Sequence, residues 1–543
     1  MPEGFFKIPK PNNETAFSYA PESKERAELK KMLAELRSKV IEIPLIINGK
    51  PVKTENLSEC RCPHDRAHLL AKYHNAGKDE AKAAIETALA AKEAWATMKW
   101  SDRAAIFLKA ADLVAGPYRQ KLNATTMLCQ SKNPFQAEID AACGLADFWR
   151  FNAYHMQKLY EQQPDSPKGI WDRSQYRPLE GFVYAVSPFN FTAIGGNLPS
   201  APAIMGNVVV WKPSSTAVYS NYFIMEILQE AGIPAGVINF MPGKASEIGE
   251  IPLLHPQLGG LHFTGSTETF CLMWKAIGEN IYNYRTYPRI VGETGGKNFV
   301  MVHCSADLNE VTASVIRGGF EYQGQKCAAV GRVYVPESRW LELKNLLVKE
   351  TKSIKTGAVE NFENFVNAVI DKAAFDKIVK YIEFAKKSTD AEIIVGGGYD
   401  DSKGYFVEPT IILTKDPKFK TMQEEIFGPV VTVYVYPDDK FEETLALCDQ
   451  TSVYALTGSI FAKDRGAIAM AERRLVNAAG NFYINDKPTG SVVGQQPFGG
   501  ARMSGTNDKS GSIGNLTRWV SQRTIKEALL PIKDWRYPFM AEQ

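Results

Sequence analysis

Three residues could together carry covalent chemistry at a carbonyl. Cys327 sits in Gly324-Gln-Lys-Cys-Ala-Ala, where small neighbours let a substrate approach the sulfur. A thiolate is a strong nucleophile, although a single cysteine is more often an inert core thiol. Glu293 sits in Gly292-Glu-Thr-Gly-Gly-Lys at the expected end of a strand, where a carboxylate could activate water. Asn190, in Ser187-Pro-Phe-Asn-Phe, follows another expected strand. An amide aimed at a developing oxyanion can lower a barrier by roughly 3–4 kcal/mol. Taken singly, Glu293 reads as a cap or surface acid and Asn190 as a turn residue. Taken together, they supply a nucleophile, a water-activating base and an oxyanion donor.

Two more turns could hold a nucleotide. Trp211-Lys-Pro-Ser closes a strand and opens a helix, so Lys212, with Ser214 beside it, could meet ribose hydroxyls or phosphate. Phe263-Thr-Gly-Ser repeats that arrangement. Its Gly265-Ser266 turn at a helix N-terminus suits a pyrophosphate by geometry and dipole. Neither turn has the G-x-G-x-x-G fingerprint.

Strand ends must position these groups, and the sequence offers them. Strands are expected at 182–186, 207–211, 237–241, 260–263, 289–292 and 298–303, with a helix at 217–231. The rhythm resumes after Cys327, with strands at 333–335, 393–395, 430–436 and 457–461 and helices near 339–353, 372–388, 440–448 and 465–474. Strand–helix–strand order implies parallel pairing through crossover helices. The chain therefore reads as α/β, with two parallel-sheet lobes and a break near 295. Ahead of them, 22–38 reads as an exposed helix and 78–115 as two helices. Residues 161–178 contain three prolines and Gly169 and read as an excursion from the domain body. After Arg518 comes a short strand and an aromatic tail, expected to pair with another subunit.

Composition narrows the classes. A chain of 543 residues, 45% hydrophobic, suggests two or three domains with large cores. A formal charge of +2 gives no reason to expect nucleic acid as a partner. No long uncharged apolar run predicts a membrane span. The N-terminus lacks the look of a signal or transit peptide, so the cytoplasm is the default, or the mitochondrial matrix if a leader has been removed. Eight scattered cysteines do not form a disulfide framework. Cys60, Cys62 and His64 alternate, but their spacing fits no common zinc pattern. An ordinary strand and turn is expected there, and no metal.

In this order, Asn190, Lys212, Gly265-Ser266, Glu293, Cys327 and Glu425-Ile-Phe-Gly-Pro resemble the aldehyde dehydrogenase superfamily over nearly the whole chain. Further motifs narrow the resemblance: Phe320-Glu-Tyr-Gln-Gly-Gln-Lys-Cys, Asn481-Phe-Tyr-Ile-Asn-Asp-Lys, Thr489-Gly-Ser and Gly494-Gln-Gln-Pro-Phe-Gly-Gly. They are similar to the branch that oxidises L-glutamate γ-semialdehyde, the open form of 1-pyrroline-5-carboxylate, to L-glutamate. The resemblance implies two Rossmann-type lobes with a small β oligomerisation flap, and a homodimer or higher homo-oligomer. It divides the chain into a cofactor-binding part, 1–295, interrupted near 160–181, a catalytic part, 296–500, and a C-terminal return and tail, 501–543.

The resemblance also assigns roles. Cys327 is the nucleophile, Glu293 the base for water, and Asn190 with the Cys327 N–H the oxyanion site. Ser187, Pro188, Phe189, Lys212, Ser214, Gly265, Ser266, Glu425 and Phe427 hold the cofactor. The N–H groups at Gly490 and Ser491 meet the substrate carboxylate, Lys326 assists, and Phe191 and Phe498 pack on the aliphatic chain. Glu138 and Asp140 are candidates for the substrate's amino group. NAD is the expected cofactor. Ser215 stands where many relatives carry a glutamate that grips the ribose, which leaves NADP open, and Ala328 stands where some have serine. A succinic semialdehyde dehydrogenase is the alternative. A cysteine hydrolase would need a histidine beside the thiol, and the seven histidines show no suggestive placement. A non-enzymatic binding protein would be expected to have lost the nucleophile or the base.

Overall fold

Apolar strands alternating with helices build two seven-stranded sheets in a computed structural model that describes residues 4–542. The first runs Arg289–Glu293, Leu258–Thr264, Phe182–Val186, Val209–Lys212, Ile238–Phe240, Leu45–Ile47, Lys50–Val52. Its first five strands are parallel, and the last two add antiparallel at one edge. Leu258–Thr264 and Val209–Lys212 are buried at every position, as strands covered on both faces must be.

Strand order reverses at Phe182–Val186, which has Val209–Lys212 on one side and Leu258–Thr264 on the other. Crevices at such a switch point, beyond the strands' carboxyl ends, are where α/β sheets bind ligands. The register aligns Val186 with Lys212 and with Phe263, and Thr264 with Glu293. Ser187, Lys212, Gly265 and Glu293 thus stand along one sheet edge.

The second sheet runs Ala391–Val395, Thr410–Thr414, Val430–Tyr436, Val330–Pro336, Asn298–Val302, Thr457–Phe461, Asn481–Ile484. All but the first are parallel. Cys327 and Glu425 precede its strands Val330–Pro336 and Val430–Tyr436, so this sheet contributes amino-terminal strand ends where the first contributes carboxyl ends.

Several elements differ from the sequence reading. Thr410–Thr414 is an internal strand that the reading omitted. Helices Arg119–Gln130 and Leu145–Tyr160, with a π-helical turn Glu138–Gly144 before the second, were also unread. The excursion contains the strand Ile170–Pro178, which pairs antiparallel with Val520–Ala528. The C-terminal strand therefore has one partner within the chain. The N-terminal helix Lys24–Arg37 is not merely exposed, because Leu29, Leu33 and Leu36 are buried.

Cys60 and Cys62 take buried positions of the strand Leu57–Cys62, and His64 beyond it faces Ser131 and Glu360. Among the described residues, no three His, Cys, Asp or Glu side chains are grouped to hold a metal. No helix among them is long and apolar enough to cross a membrane.

Candidate active site

The cysteine is delivered by an unusual turn. After the helix Leu308–Phe320, three consecutive residues adopt left-handed backbone: Tyr322 (φ 52°), Gln323 (φ 57°) and Gly324 (φ 65°). For residues with a Cβ this costs about 1–2 kcal/mol each, so the surroundings must impose it. Gln323 Nε2 donates to the carbonyls of Ser131 (2.9 Å) and Ala368 (2.8 Å), and its Oε1 accepts from the Asn367 N–H (3.0 Å). Gln325 Oε1 accepts from the Ile370 N–H at 2.9 Å. A Cβ on Gly324 would lie 2.2 Å from the Gly428 carbonyl oxygen, so only glycine fits. Asn298 Nδ2 then holds the carbonyls of Cys327 (2.7 Å) and Ala329 (2.8 Å).

Cys327 is buried, and burial raises its thiol well above the ordinary range, with the Glu293 and Glu425 carboxylates adding to the rise.

Glu293 ends its strand and is clamped by the C-terminal return. The Thr506 N–H donates to the Gly292 carbonyl (2.9 Å), and the Thr294 N–H donates to the Ser504 carbonyl (3.0 Å). Its Oε1 is buried with no hydrogen-bond partner. Burial pushes its pKa up to about 8, against the pull of the Lys509 ammonium. That ammonium is fixed by the carbonyls of Gly480 (2.7 Å) and Gly499 (3.0 Å). A base works as the carboxylate, so its contribution rises as pH passes up through this pKa. Lys509→Met removes the opposing charge and is expected to move the acid limb of the kcat–pH profile to higher pH. A limb that stays in place would refute the coupling.

A cavity of about 390 Å³ is lined by Cys327, Glu293, Phe191, Lys326, Ser491 and Phe498, with Gly490 at the same wall. Asn190 is buried beside it, its Nδ2 donating to the Gln325 carbonyl at 3.1 Å. Lys326 is less free than expected, because its Nζ is paired with Glu321 at 3.0 Å. Glu138 is corrected outright. It lies outside the cavity lining, and its carboxylate is taken by Arg119, the Tyr19 hydroxyl (2.7 Å), Asn123 Nδ2 (2.6 Å) and the Phe17 N–H (2.9 Å). Asp140 lines the cavity but is committed to Lys132 Nζ (2.7 Å) and to the N–H groups of Thr192 (2.9 Å) and Ala193 (2.8 Å). It caps the helix that starts just after Asn190 and Phe191.

The expected cofactor residues lie outside this cavity's lining. Lys212 is buried, and burial lowers its pKa to about 8. A ribose hydroxyl or phosphate oxygen would give that desolvated ammonium an acceptor, so the site fits a nucleotide. Ser187 joins the same edge, its N–H donating to the Lys212 carbonyl (3.1 Å) and its Oγ accepting from Trp211 Nε1 (2.9 Å). Pro188 is buried next to it. Phe189 meets Phe427 edge to face at 5.8 Å, and Phe427 holds a left-handed φ of 61°.

The remaining expected cofactor residues also fall on defined structure. Ser214 precedes a short 3₁₀ turn, Ser215–Ala217. The Gly265 N–H donates to the Glu293 carbonyl at 3.1 Å. Ser266 caps the helix Thr267–Glu279 by accepting from the Thr269 N–H at 3.2 Å. Glu425 Oε1 accepts from the Gly296 N–H at 2.7 Å.

Sequence reasoning missed Asn298, Gln323 and Lys509. Gln323 lies inside a motif already singled out and Asn298 directly follows another, but their work is done on backbone groups that only the fold brings near.

A thiol and a carboxylate in one cavity, next to a nucleotide-shaped sheet edge, define an aldehyde-oxidising class. Residues 51–525 match the aldehyde dehydrogenase family, and the chain belongs to that family. Within it, the chain is 54% identical to delta-1-pyrroline-5-carboxylate dehydrogenase from Agaricus bisporus, over 98% of each chain. It is 53% identical to the mitochondrial delta-1-pyrroline-5-carboxylate dehydrogenase of Dictyostelium discoideum, over 98% of this chain and 96% of that one. Among solved structures it is similar to the Mycobacterium tuberculosis delta-pyrroline-5-carboxylate dehydrogenase bound with NAD. That match has TM-score 0.96 and 49% identity, covering 99% of this chain and 100% of the other.

Proposed function

We propose that this chain oxidises L-glutamate γ-semialdehyde, in equilibrium with 1-pyrroline-5-carboxylate, to L-glutamate with NAD, the second step of proline degradation. The observation that carries the reading is one cavity holding Cys327, Glu293 and the Gly490-Ser491 turn. Relatives of about half identity over nearly the whole chain, named for that substrate, support it.

Cys327 releases its thiol proton to solvent, and its Sγ attacks the aldehyde carbon as thiolate. The Asn190 amide, released from the Gln325 carbonyl, and the Cys327 N–H hold the resulting oxyanion. When bound, the cofactor accepts hydride and adds a positive charge to the site, which favours the thiolate. Loss of hydride leaves a thioester on Cys327. Glu293 takes a proton from water, the water oxygen bonds to the acyl carbon, and Cys327 leaves as thiolate. Lys212, Ser214, Gly265 and Ser266 hold the nucleotide. Glu425, Phe427 and residues 187–189 orient its nicotinamide end. The left-handed turn at Gly490 (φ 80°) presents backbone N–H groups with Ser491 to the substrate carboxylate, between Phe191 and Phe498.

The division into a cofactor part (1–295), a catalytic part (296–500) and a tail (501–543) belongs to the same reading. Exposed apolar residues in the tail, among them Leu530, Ile532, Trp535 and Phe539, support a homo-oligomer. Eight unpaired cysteines fit a reducing compartment, the cytoplasm or, as for the relatives named mitochondrial, a mitochondrion. NADP is a second reading favoured by Ser215, which carries no charge to repel a 2′-phosphate.

The test compares kcat/KM for glutamate semialdehyde and succinic semialdehyde, each with NAD and NADP. The reading expects at least about a tenfold preference for the first with NAD. A preference for succinic semialdehyde would sink it.

A further inference from the structure

The N-terminal segment takes no part in the steps above, yet it faces the catalytic cavity. Residues 4–20 form no helix or strand. Even so, Asn13, Glu14 and Ala16 line the same cavity as Cys327, Glu293 and Ser491.

Terminal segments fray unless tied down, and this one is tied by five contacts besides those of Asn13. The Glu14 carboxylate pairs with Arg119 (2.8 Å) and Arg150 (2.7 Å). The Glu14 N–H donates to Asp147 at 2.8 Å. The Phe17 N–H and the Tyr19 hydroxyl donate to the two oxygens of Glu138, at 2.9 and 2.7 Å. This is what occupies Glu138.

Asn13 joins the segment to the turn that carries Ser491. Its Nδ2 donates to the Val493 carbonyl (2.7 Å) and to Asp147 (2.8 Å), and its Oδ1 accepts from Gln495 Nε2 (2.9 Å). The turn needs such fastening. Gly490 and Gly494 both sit at φ 80°, so it pivots at two glycines, and a Cβ on Gly494 would lie 2.1 Å from the Phe151 ring. Val493 falls between those pivots, and Asn13 grips its carbonyl.

We propose that the N-terminal segment is a specificity strap, in which Asn13 fixes the 490–496 turn in the conformation that receives the carboxylate of a carboxylate-bearing aldehyde. Asn13 is a positioning residue, acting through the turn. The proposal rests on the reading of Gly490 and Ser491 as the carboxylate site.

The test measures kcat and KM of the full chain and of Asn13→Ala and Gln495→Ala. The substrates are glutamate semialdehyde, succinic semialdehyde and propanal, which has no carboxylate. For the semialdehyde that wild type prefers, Asn13→Ala is expected to raise KM about tenfold with kcat within about twofold, as for a lost hydrogen-bond support. Propanal kcat/KM and the KM for NAD stay within about twofold. Gln495→Ala, on the exposed surface, moves the same ratio in the same direction by about threefold. Equal losses on semialdehyde and propanal, or an unchanged semialdehyde KM, overturn the strap. If Asn13→Ala fails to fold, Gln495→Ala decides, and unchanged selectivity there overturns it. The wild-type preference between the two semialdehydes judges the proposed function separately, whatever the variants do.

Discussion

Cys327→Ala is expected to lower kcat for aldehyde oxidation by at least about 10⁴-fold, the scale seen when a covalent nucleophile is removed. The prediction is sharper than usual because the cavity has a second cysteine, Cys143. Both thiols are raised by burial, but their surroundings differ. Cys143 Sγ donates to Glu138 at 3.8 Å and accepts from Arg119 Nη2 at 3.7 Å, so this thiol belongs to the buried Glu138–Arg119 network. Cys327 follows the left-handed turn, beside Asn190 and in one cavity with Glu293, where an added positive charge can ionise it. Cys143→Ala should therefore keep kcat within about threefold of wild type. Steady-state rates of both variants, with melting curves as a fold check, decide between the two. Loss of activity in Cys143→Ala with a folded protein would reverse the assignment.

Glu293→Gln should separate the two halves of the reaction. One equivalent of reduced cofactor per subunit is expected at close to the wild-type rate. Turnover should then fall by about 10²–10⁴-fold, the usual worth of a general base. Glutamine has the same shape, and Glu293 Oε1 has no hydrogen-bond partner to lose, so the fold should tolerate the change. Stopped-flow absorbance of the reduced cofactor measures both phases. A variant slow in the first phase as well would move Glu293 to activation of the thiol.

The chemistry was more legible than the frame that aims it. Strand ends at Val186, Lys212, Thr264 and Glu293 follow from apolar runs stopped by Pro or Gly, and their register along one sheet edge follows from parallel pairing. Val430–Tyr436 matches its expected span because it is rich in β-branched residues and bounded by turns, and Thr457–Phe461 matches its span as well. The helical stretch 119–160 was harder to read. Its residues are buried nearly all round, and its second helix starts from a π-helical turn.

Long-range polar contacts were not legible at all. Nothing near Glu138 in the sequence announces that the N-terminal segment occupies it. Nothing near Lys326 foretells whether its charge turns to substrate or to Glu321, five residues earlier. Such pairings depend on which buried polar group needs a partner after folding, which periodicity does not encode.

The most direct measurement concerns the bond on Cys327. Glu293→Gln is mixed with glutamate semialdehyde and NAD, quenched in acid to keep the substrate amine protonated, and its peptides are weighed. One glutamyl group on the peptide containing Cys327, absent when Cys327→Ala is added, is the predicted result. An unmodified Cys327 peptide after the burst, or an acyl group on another residue, would contradict the account.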